Sequence, residues 1–177
     1  MKVIRHAAAR ATRGKGLTLT WGVHDFPVGK ILVALSPEGL CWLGINCGAA
    51  KLRQNWPGAK LVENAAATKK TAGEIARLWP YSLEKLSIPL VLYGTAFQLE
   101  VWQALLGIKS GKTVTYAELA RKLGRPQAAR AVGSAVGKNT VSIVVPCHRV
   151  VNKDSARINY GWGPALKKAL LAGEAAK

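Results

Sequence analysis

Few side chains of this 177-residue sequence could do covalent or acid–base chemistry: three cysteines, three histidines and nine acids. The densest grouping is Pro146-Cys-His-Arg-Val-Val151. A free thiol has a pKa of about 8.5 and is mostly protonated near neutrality, so Cys147 needs a partner to become a nucleophile. His148 is its neighbour in sequence. Neighbours in a regular strand point to opposite faces, so His148 serves Cys147 only if the backbone turns there or a water bridges them. A histidine acting as base in turn wants an orienting carboxylate. The candidates are Asp154 and Glu174, with Glu118 committed to a helix cap. The plain alternative is a buried thiol beside a structural histidine. Cys41 and Cys47 have five residues between them, a spacing that fits no common zinc module, and both read as core or strand residues. No metal site is expected. An odd cysteine count argues for a reducing compartment, the cytoplasm, or the nucleus in a eukaryotic cell.

Charge supplies the partner class. Twenty-six Lys and Arg against nine Asp and Glu give a formal net charge of +17. Solubility needs only about 2–8 in a small domain, so the excess points to a polyanion. Residues 1–60 carry nine basic and two acidic side chains, 61–100 four of each, and 101–177 thirteen and three. An anionic membrane is disfavoured: the longest uncharged stretch, residues 86–99, contains Pro89 and falls short of the ~20 apolar residues that span a bilayer. No secretory signal is visible. Residues 1–15 are basic and free of acid, and read as a basic arm, with a transit peptide or a disordered start as alternatives.

The elements that must position these groups are legible. Residues 17–21, 29–35 and 40–45 alternate or are rich in branched side chains, with a turn at Ser36-Pro-Glu-Gly39, and predict an antiparallel meander. Residues 66–78 have helical composition, and Pro89-Leu-Val-Leu-Tyr93 reads as a short strand. Phe97, Val101 and Leu105 share one face of a helix over 95–107. Thr115-Tyr-Ala-Glu118 is a capping box opening a helix that Gly124 stops. Pro126 opens the next helix, to about Val136, so that the pair reads as a helix-turn-helix. Val141-Ser-Ile-Val-Val145 reads as a strand stopped by Pro146, and Pro164 starts a last helix.

The second helix of that pair is built of small residues, with only Gln127 and Arg130 long. Small residues allow close approach of backbone to DNA with little base readout. Backbone and shape contacts are expected, the minor groove being one mode, with Arg130 inserting. The alternative is that Ala and Gly merely pack this helix against its neighbour.

Taken together, Gly94-Thr-Ala-Phe-Gln98, Val101-Trp-Gln-Ala-Leu105, Thr115-Tyr-Ala-Glu-Leu-Ala120, Ala128-Ala-Arg-Ala-Val-Gly133 and Ile143-Val-Val-Pro-Cys-His-Arg-Val-Val151 resemble the O6-alkylguanine-DNA alkyltransferases in order and spacing. Tyr160-Gly-Trp-Gly163 is closer to the bacterial adaptive-response type. The resemblance implies an α/β N-terminal domain over 16–92, with a ribonuclease-H-like antiparallel sheet plus helix. A mainly helical, winged helix-turn-helix-like domain over 93–177 would bind DNA and accept the alkyl group. It implies a single-turnover reaction: a monomer binds double-stranded DNA, rotates an O6-alkylguanine out of the stack and transfers the alkyl group to its own cysteine, without cofactor. O4-alkylthymine is a second candidate substrate. By motif position Cys147 is the acceptor, His148 activates it through a water, Glu174 orients His148, Asn139 holds the turn, and Tyr116 crowds the target phosphate. Arg130 fills the vacated stack, and Gln127, Ala129 and Ser134 lie on the DNA-facing helix. Tyr160 donates to the guanine ring, Gly161 offers its amide near O6, and the carbonyls of Cys147 and Val150 read the exocyclic amine.

Three departures stand out. Residues 152–159 lack glycine, with Ser155 and Ile158 in the expected glycine places. Gly161 replaces a serine found in some members. Trp162 replaces glycine of the animal enzyme and should narrow the pocket against benzyl adducts. No cysteine-rich sensing module precedes the domain in this sequence, so a transcriptional role is not expected. Two other readings compete: an alkyltransferase-like damage binder that cannot accept the alkyl group, and a cysteine hydrolase. Cys147 speaks against the first. The second has no evident oxyanion loop and no use for such a charge.

Overall fold

The computed structural model describes residues 1–7, 14–153 and 160–175. Backbone contacts divide it into two units. One comprises residues 1–95 with 140–142, the other 96–139 with 143–177.

The first unit is a six-stranded mixed sheet with two helices. Its strands are β1 (Val3–His6), β2 (Thr18–Phe26), β3 (Gly29–Ser36) and β4 (Gly39–Ile45). Helix α1 (Ala49–Asn55), strand β5 (Lys60–Glu63), helix α2 (Ala65–Leu78) and strand β6 (Leu90–Tyr93) follow, giving the order β1-β6-β4-β3-β2-β5. The expected meander is present: β2–β3 and β3–β4 pair antiparallel. The sheet is not antiparallel throughout, because β1–β6, β4–β6 and β2–β5 pair parallel. The residues read as a basic arm begin with β1 instead. Val3 and Ile4 are half-buried against β6, which outweighs the local charge; residues 8–13 lie outside the described part. Helix α1 and β5 were not foreseen. Leu52 is the one buried residue of α1, so no apolar stripe announces that helix.

The sheet's core is hydrocarbon: every residue of β4 is buried, with Ile31, Leu32, Val33 and Ala34 of β3 beside it. Helix α2 is capped by Asn64, whose side chain accepts from the Ala67 amide. It packs close to β2 because position 22 is glycine. A Cβ there would sit 2.6 Å from Ala65 Cα, too near for any side chain.

The second unit contains α3 (Ala96–Leu106), β7 (Val114–Thr115), α4 (Tyr116–Lys122), α5 (Ala129–Gly137), β8 (Val150–Val151) and α6 (Pro164–Ala175). The predicted capping box is formed: the Glu118 amide donates to Thr115 Oγ1 at 3.1 Å, and the Thr115 amide donates to the Glu118 carboxylate at 2.6 Å. Gly124, at φ +70°, ends the first helix of the pair, a conformation that suits a residue without Cβ. A single 3-10 turn, Pro126–Ala128, precedes α5. Trp102 of α3 donates its indole N–H to the Ala135 carbonyl at 2.9 Å and so anchors α5.

The strand expected over residues 141–145 is not there. Val141 makes one isolated parallel bridge to Leu43, and Ile143 has φ +70°, so the chain turns. Residues 140–150 are all buried. The run of branched side chains reports burial, and a buried turn needs hydrocarbon as much as a strand does.

Candidate active site

The turn carrying the thiol is tight. Past Pro146, Cys147–Arg149 form a single 3-10 turn, with the Cys147 amide donating to the Val145 carbonyl at 2.8 Å and the Arg149 amide to the Pro146 carbonyl at 3.0 Å. The strand geometry that would have sent Cys147 and His148 to opposite faces therefore does not apply. β7 and β8 pair parallel just beyond this turn.

Cys147 keeps only 9 % of its surface, yet its surroundings are polar. Asn139, just past α5, donates from Nδ2 to Cys147 Sγ at 3.1 Å and to the Val145 carbonyl at 2.9 Å. Burial pushes the thiol pKa up, while the Asn139 hydrogen bond, the Lys167 charge and a Tyr160 hydrogen bond pull it back. The cysteine rests as a thiol and must lose its proton when it reacts.

His148 is fully buried, and its Nε2 lies 2.7 Å from Glu174 Oε1 in the last turn of α6. Of the two carboxylates left open by the sequence, Glu174 meets the histidine; Asp154 lies outside the described residues. Burial lowers the imidazole pKa against the raising effect of Glu174, so the ring is neutral at neutral pH. Its Nδ1 is buried with no hydrogen-bond partner among the described residues. A neutral ring with the proton on Nε2, toward Glu174, leaves Nδ1 as an acceptor. Burial works to raise the Glu174 pKa, but hydrogen bonds and charge from His148 and Arg149 hold it at about 2.

Arg149 and Lys167 were not singled out in the sequence. Arg149 grips Glu174 through Nε at 2.9 Å and Nη2 at 2.8 Å, and donates from Nη1 to the Ile108 carbonyl. Lys167, also buried, donates from Nζ to the Val150 carbonyl at 2.5 Å. Lys167, Leu170 and Glu174 fall on one face of α6 and are its buried residues. That register with a buried leucine was the signal that could have found Lys167; nothing comparable marks Arg149.

The remaining candidates are spread around this centre. Tyr116, at the start of α4, packs near Gly133 of α5; burial raises its pKa, and the Cys147 charge adds to that. On α5, Val132, Ala135 and Val136 are buried, whereas Arg130 and Ser134 are exposed and Ala129 is half-exposed; Gln127, in the preceding turn, is exposed. Small residues thus occupy the outward face as well as the packed one. Tyr160 and Trp162 are half-buried, and Gly161 is exposed. The Val150 carbonyl, expected to be open to a base, already accepts from Lys167 through one lone pair. The Cys147 carbonyl accepts from the Val150 amide. Ser155 and Ile158 lie outside the described residues.

Residues 96–176 match the family model for the 6-O-methylguanine DNA methyltransferase, DNA binding domain. The inducible methylated-DNA–protein-cysteine methyltransferase of Bacillus subtilis is 36 % identical over 87 % of this chain and 89 % of its own length. This chain belongs to that methyltransferase family. Within the family it is also similar to the regulatory protein ada of Salmonella typhimurium, 39 % identical over 93 % of this chain and 48 % of that one. The chain thus spans about half the length of the Ada regulators it matches. The methyltransferase fold is shared with a solved structure, Mycobacterium tuberculosis OGT in complex with DNA. The two are 32 % identical, with a TM-score of 0.74 over 90 % of this chain and 93 % of that one. No helix among the described residues is long and apolar enough to cross a membrane.

Proposed function

We propose that this protein repairs DNA by direct reversal, moving the alkyl group from O6 of an alkylated guanine in duplex DNA to its own Cys147, once per molecule. The observation that carries this reading is the chain of contacts Asn139–Cys147 and His148–Glu174, built on one 3-10 turn beside the α4–α5 pair. Membership of the methylated-DNA–protein-cysteine methyltransferase family supports it, as does the likeness to a family member solved with DNA.

The site's chemistry follows from the resting states. A water between Cys147 and the unpartnered Nδ1 of His148 relays the thiol proton to the ring. Glu174 steadies the imidazolium that forms. The thiolate attacks the alkyl carbon, a C–S bond forms, the C–O6 bond breaks, and its electron pair stays on the guanine. A Tyr160 hydrogen bond steadies the negative charge as it develops on the guanine, and the proton that left the thiol ends on the guanine ring, which departs neutral. The product thioether is stable, so the protein is spent.

Extruding a base costs a few kcal/mol. Arg130, exposed on α5, fills the gap, and the outward face of Gln127, Ala129, Arg130 and Ser134 lies against the DNA with little base reading. Tyr116 crowds the target phosphate, Trp162 and Gly161 border the everted base, and the Cys147 and Val150 carbonyls read its exocyclic amine. We read α4–α5 with the β7–β8 pair as a winged helix-turn-helix, the first unit as ribonuclease-H-like, and the protein as a monomer working in a reducing compartment.

The deciding experiment is intact mass after incubation with duplex DNA containing O6-methylguanine. One methyl group should be gained per protein, on Cys147, and none by Cys147→Ala. Binding without mass gain would instead favour a damage-recognition protein that takes no alkyl group.

A further inference from the structure

The buried charges around His148 do not add up to a simple Cys–His–Glu relay. Glu174 Oε1 accepts from His148 at 2.7 Å and from Arg149 Nη2 at 2.8 Å, and Oε2 accepts from Arg149 Nε at 2.9 Å and from the Gly111 amide at 3.3 Å. One carboxylate is shared by two bases that are themselves buried. It also sits in the last turn of α6, where the helix dipole opposes a negative charge. A carboxylate placed there with histidine as its only partner would draw a proton onto the ring, because an unpaired buried charge is costly. An imidazolium cannot accept the thiol proton.

We infer that Arg149 is a positioning residue for the general base: its guanidinium balances Glu174, so that His148 rests neutral with Nε2 protonated and Nδ1 open to accept. The inference rests on the alkyl-transfer reading only for what the base is used for. With Arg149 present, the set Arg⁺, Glu⁻ and neutral His is already balanced, and a proton on His148 would leave an excess positive charge in the interior. The other charged group facing the imidazole is Lys167 of α6, which works in the same direction. The loop before β7 contributes the Ile108 carbonyl and the Gly111 amide, which orient the guanidinium and the carboxylate. Burial holds the imidazole pKa down and the carboxylate pKa ends at about 2, in keeping with this balance.

The test compares the wild-type protein with Arg149→Met, and with Arg149→Lys, which keeps the charge but not the fork. Ring-nitrogen NMR shifts of His148 are followed against pH, together with the rate at which iodoacetamide modifies the Cys147 peptide. The second readout needs no DNA. In the wild type, His148 should be neutral with the proton on Nε2 throughout the neutral range. In Arg149→Met, both the His148 titration and the acid limb of the Cys147 rate should move up by about one pH unit or more, a roughly tenfold loss of rate below the limb that higher pH restores. Arg149→Lys should shift less. A His148 that is cationic at neutral pH in the wild type overturns the inference, even if Arg149→Met does not fold. So does a folded Arg149→Met whose titration stays put. If the wild type takes no methyl from O6-methylguanine DNA but the pH shift appears, the proposed function fails and the role of Arg149 stands.

Discussion

Asn139 Nδ2 lies 3.1 Å from Cys147 Sγ while also donating to the Val145 carbonyl at 2.9 Å, so one side-chain amide holds the thiol and the backbone before it. Asn139→Ala leaves the fully buried Val145 carbonyl with the Cys147 amide as its remaining donor. The expected loss is about 0.5–1.5 kcal/mol in urea unfolding, the net worth of one hydrogen bond. Alkyl transfer should slow as well, because the largest of the interactions that pull the thiol pKa back down would be lost, leaving the Lys167 charge and the Tyr160 hydrogen bond against burial. A variant as stable and as fast as the parent would remove Asn139 from both roles.

The Arg149–Glu174 pair makes a second prediction. Glu174→Leu strands the Arg149 charge, and breaking a buried pair from one side costs about 3–5 kcal/mol. Removing both, in Arg149→Met with Glu174→Leu, should cost clearly less than the two single losses added together. Additive losses in a double-mutant cycle would mean that the two do not act as one unit.

Stability should fall in two acid steps. The folded-state pKa of His148 is depressed, so the unfolded chain binds more protons below pH 6.5. That contribution is complete above 6.5 and is lost as pH falls through this value toward the lower folded pKa. Glu174, held at about 2 against 4.5, adds stability above 4.5 that is lost between 4.5 and about 2. Thermal unfolding midpoints across pH should show both declines. His148→Gln should flatten the upper one, apart from the share of His24, whose pKa is also lowered by burial. An unchanged upper decline would place it elsewhere.

Arg130 is exposed on α5. Arg130→Ala should reduce repair of duplex O6-methylguanine by roughly tenfold or more, since a few kcal/mol of unstacking then go unoffset. Reaction with the free base should barely change. Equal losses on both substrates would rule out the plug.

Trp162 sets the adduct prediction. Trp162→Gly should raise the rate with O6-benzylguanine relative to O6-methylguanine several-fold, by analogy with the ~1–3 kcal/mol that a methylene is worth in a tight pocket. Competition between the two adducts measures it, and an unchanged ratio would contradict the narrowing.

Local chemistry was readable from the chain because it acts within a few residues. The Thr115–Glu118 box and the Gly124 stop are each decided by backbone groups three or four positions apart. The order of the motifs around Cys147 likewise needs no tertiary contact to be seen. What the folded molecule decided is non-local. Residues 141–145 read as a strand because branched side chains fit both strands and buried turns; Ile143 at φ +70° chose the turn. Val3–His6 read as loose charge until β6, some ninety positions on, paired with it. Glu174 rather than Asp154 became the partner of His148 because α6 brings it across 26 residues of chain, and Arg149 joined them only where all three are buried together. Arg149 carries no periodic pattern in sequence, since the energy of such a charge depends on which other charges share the interior, and only packing settles that.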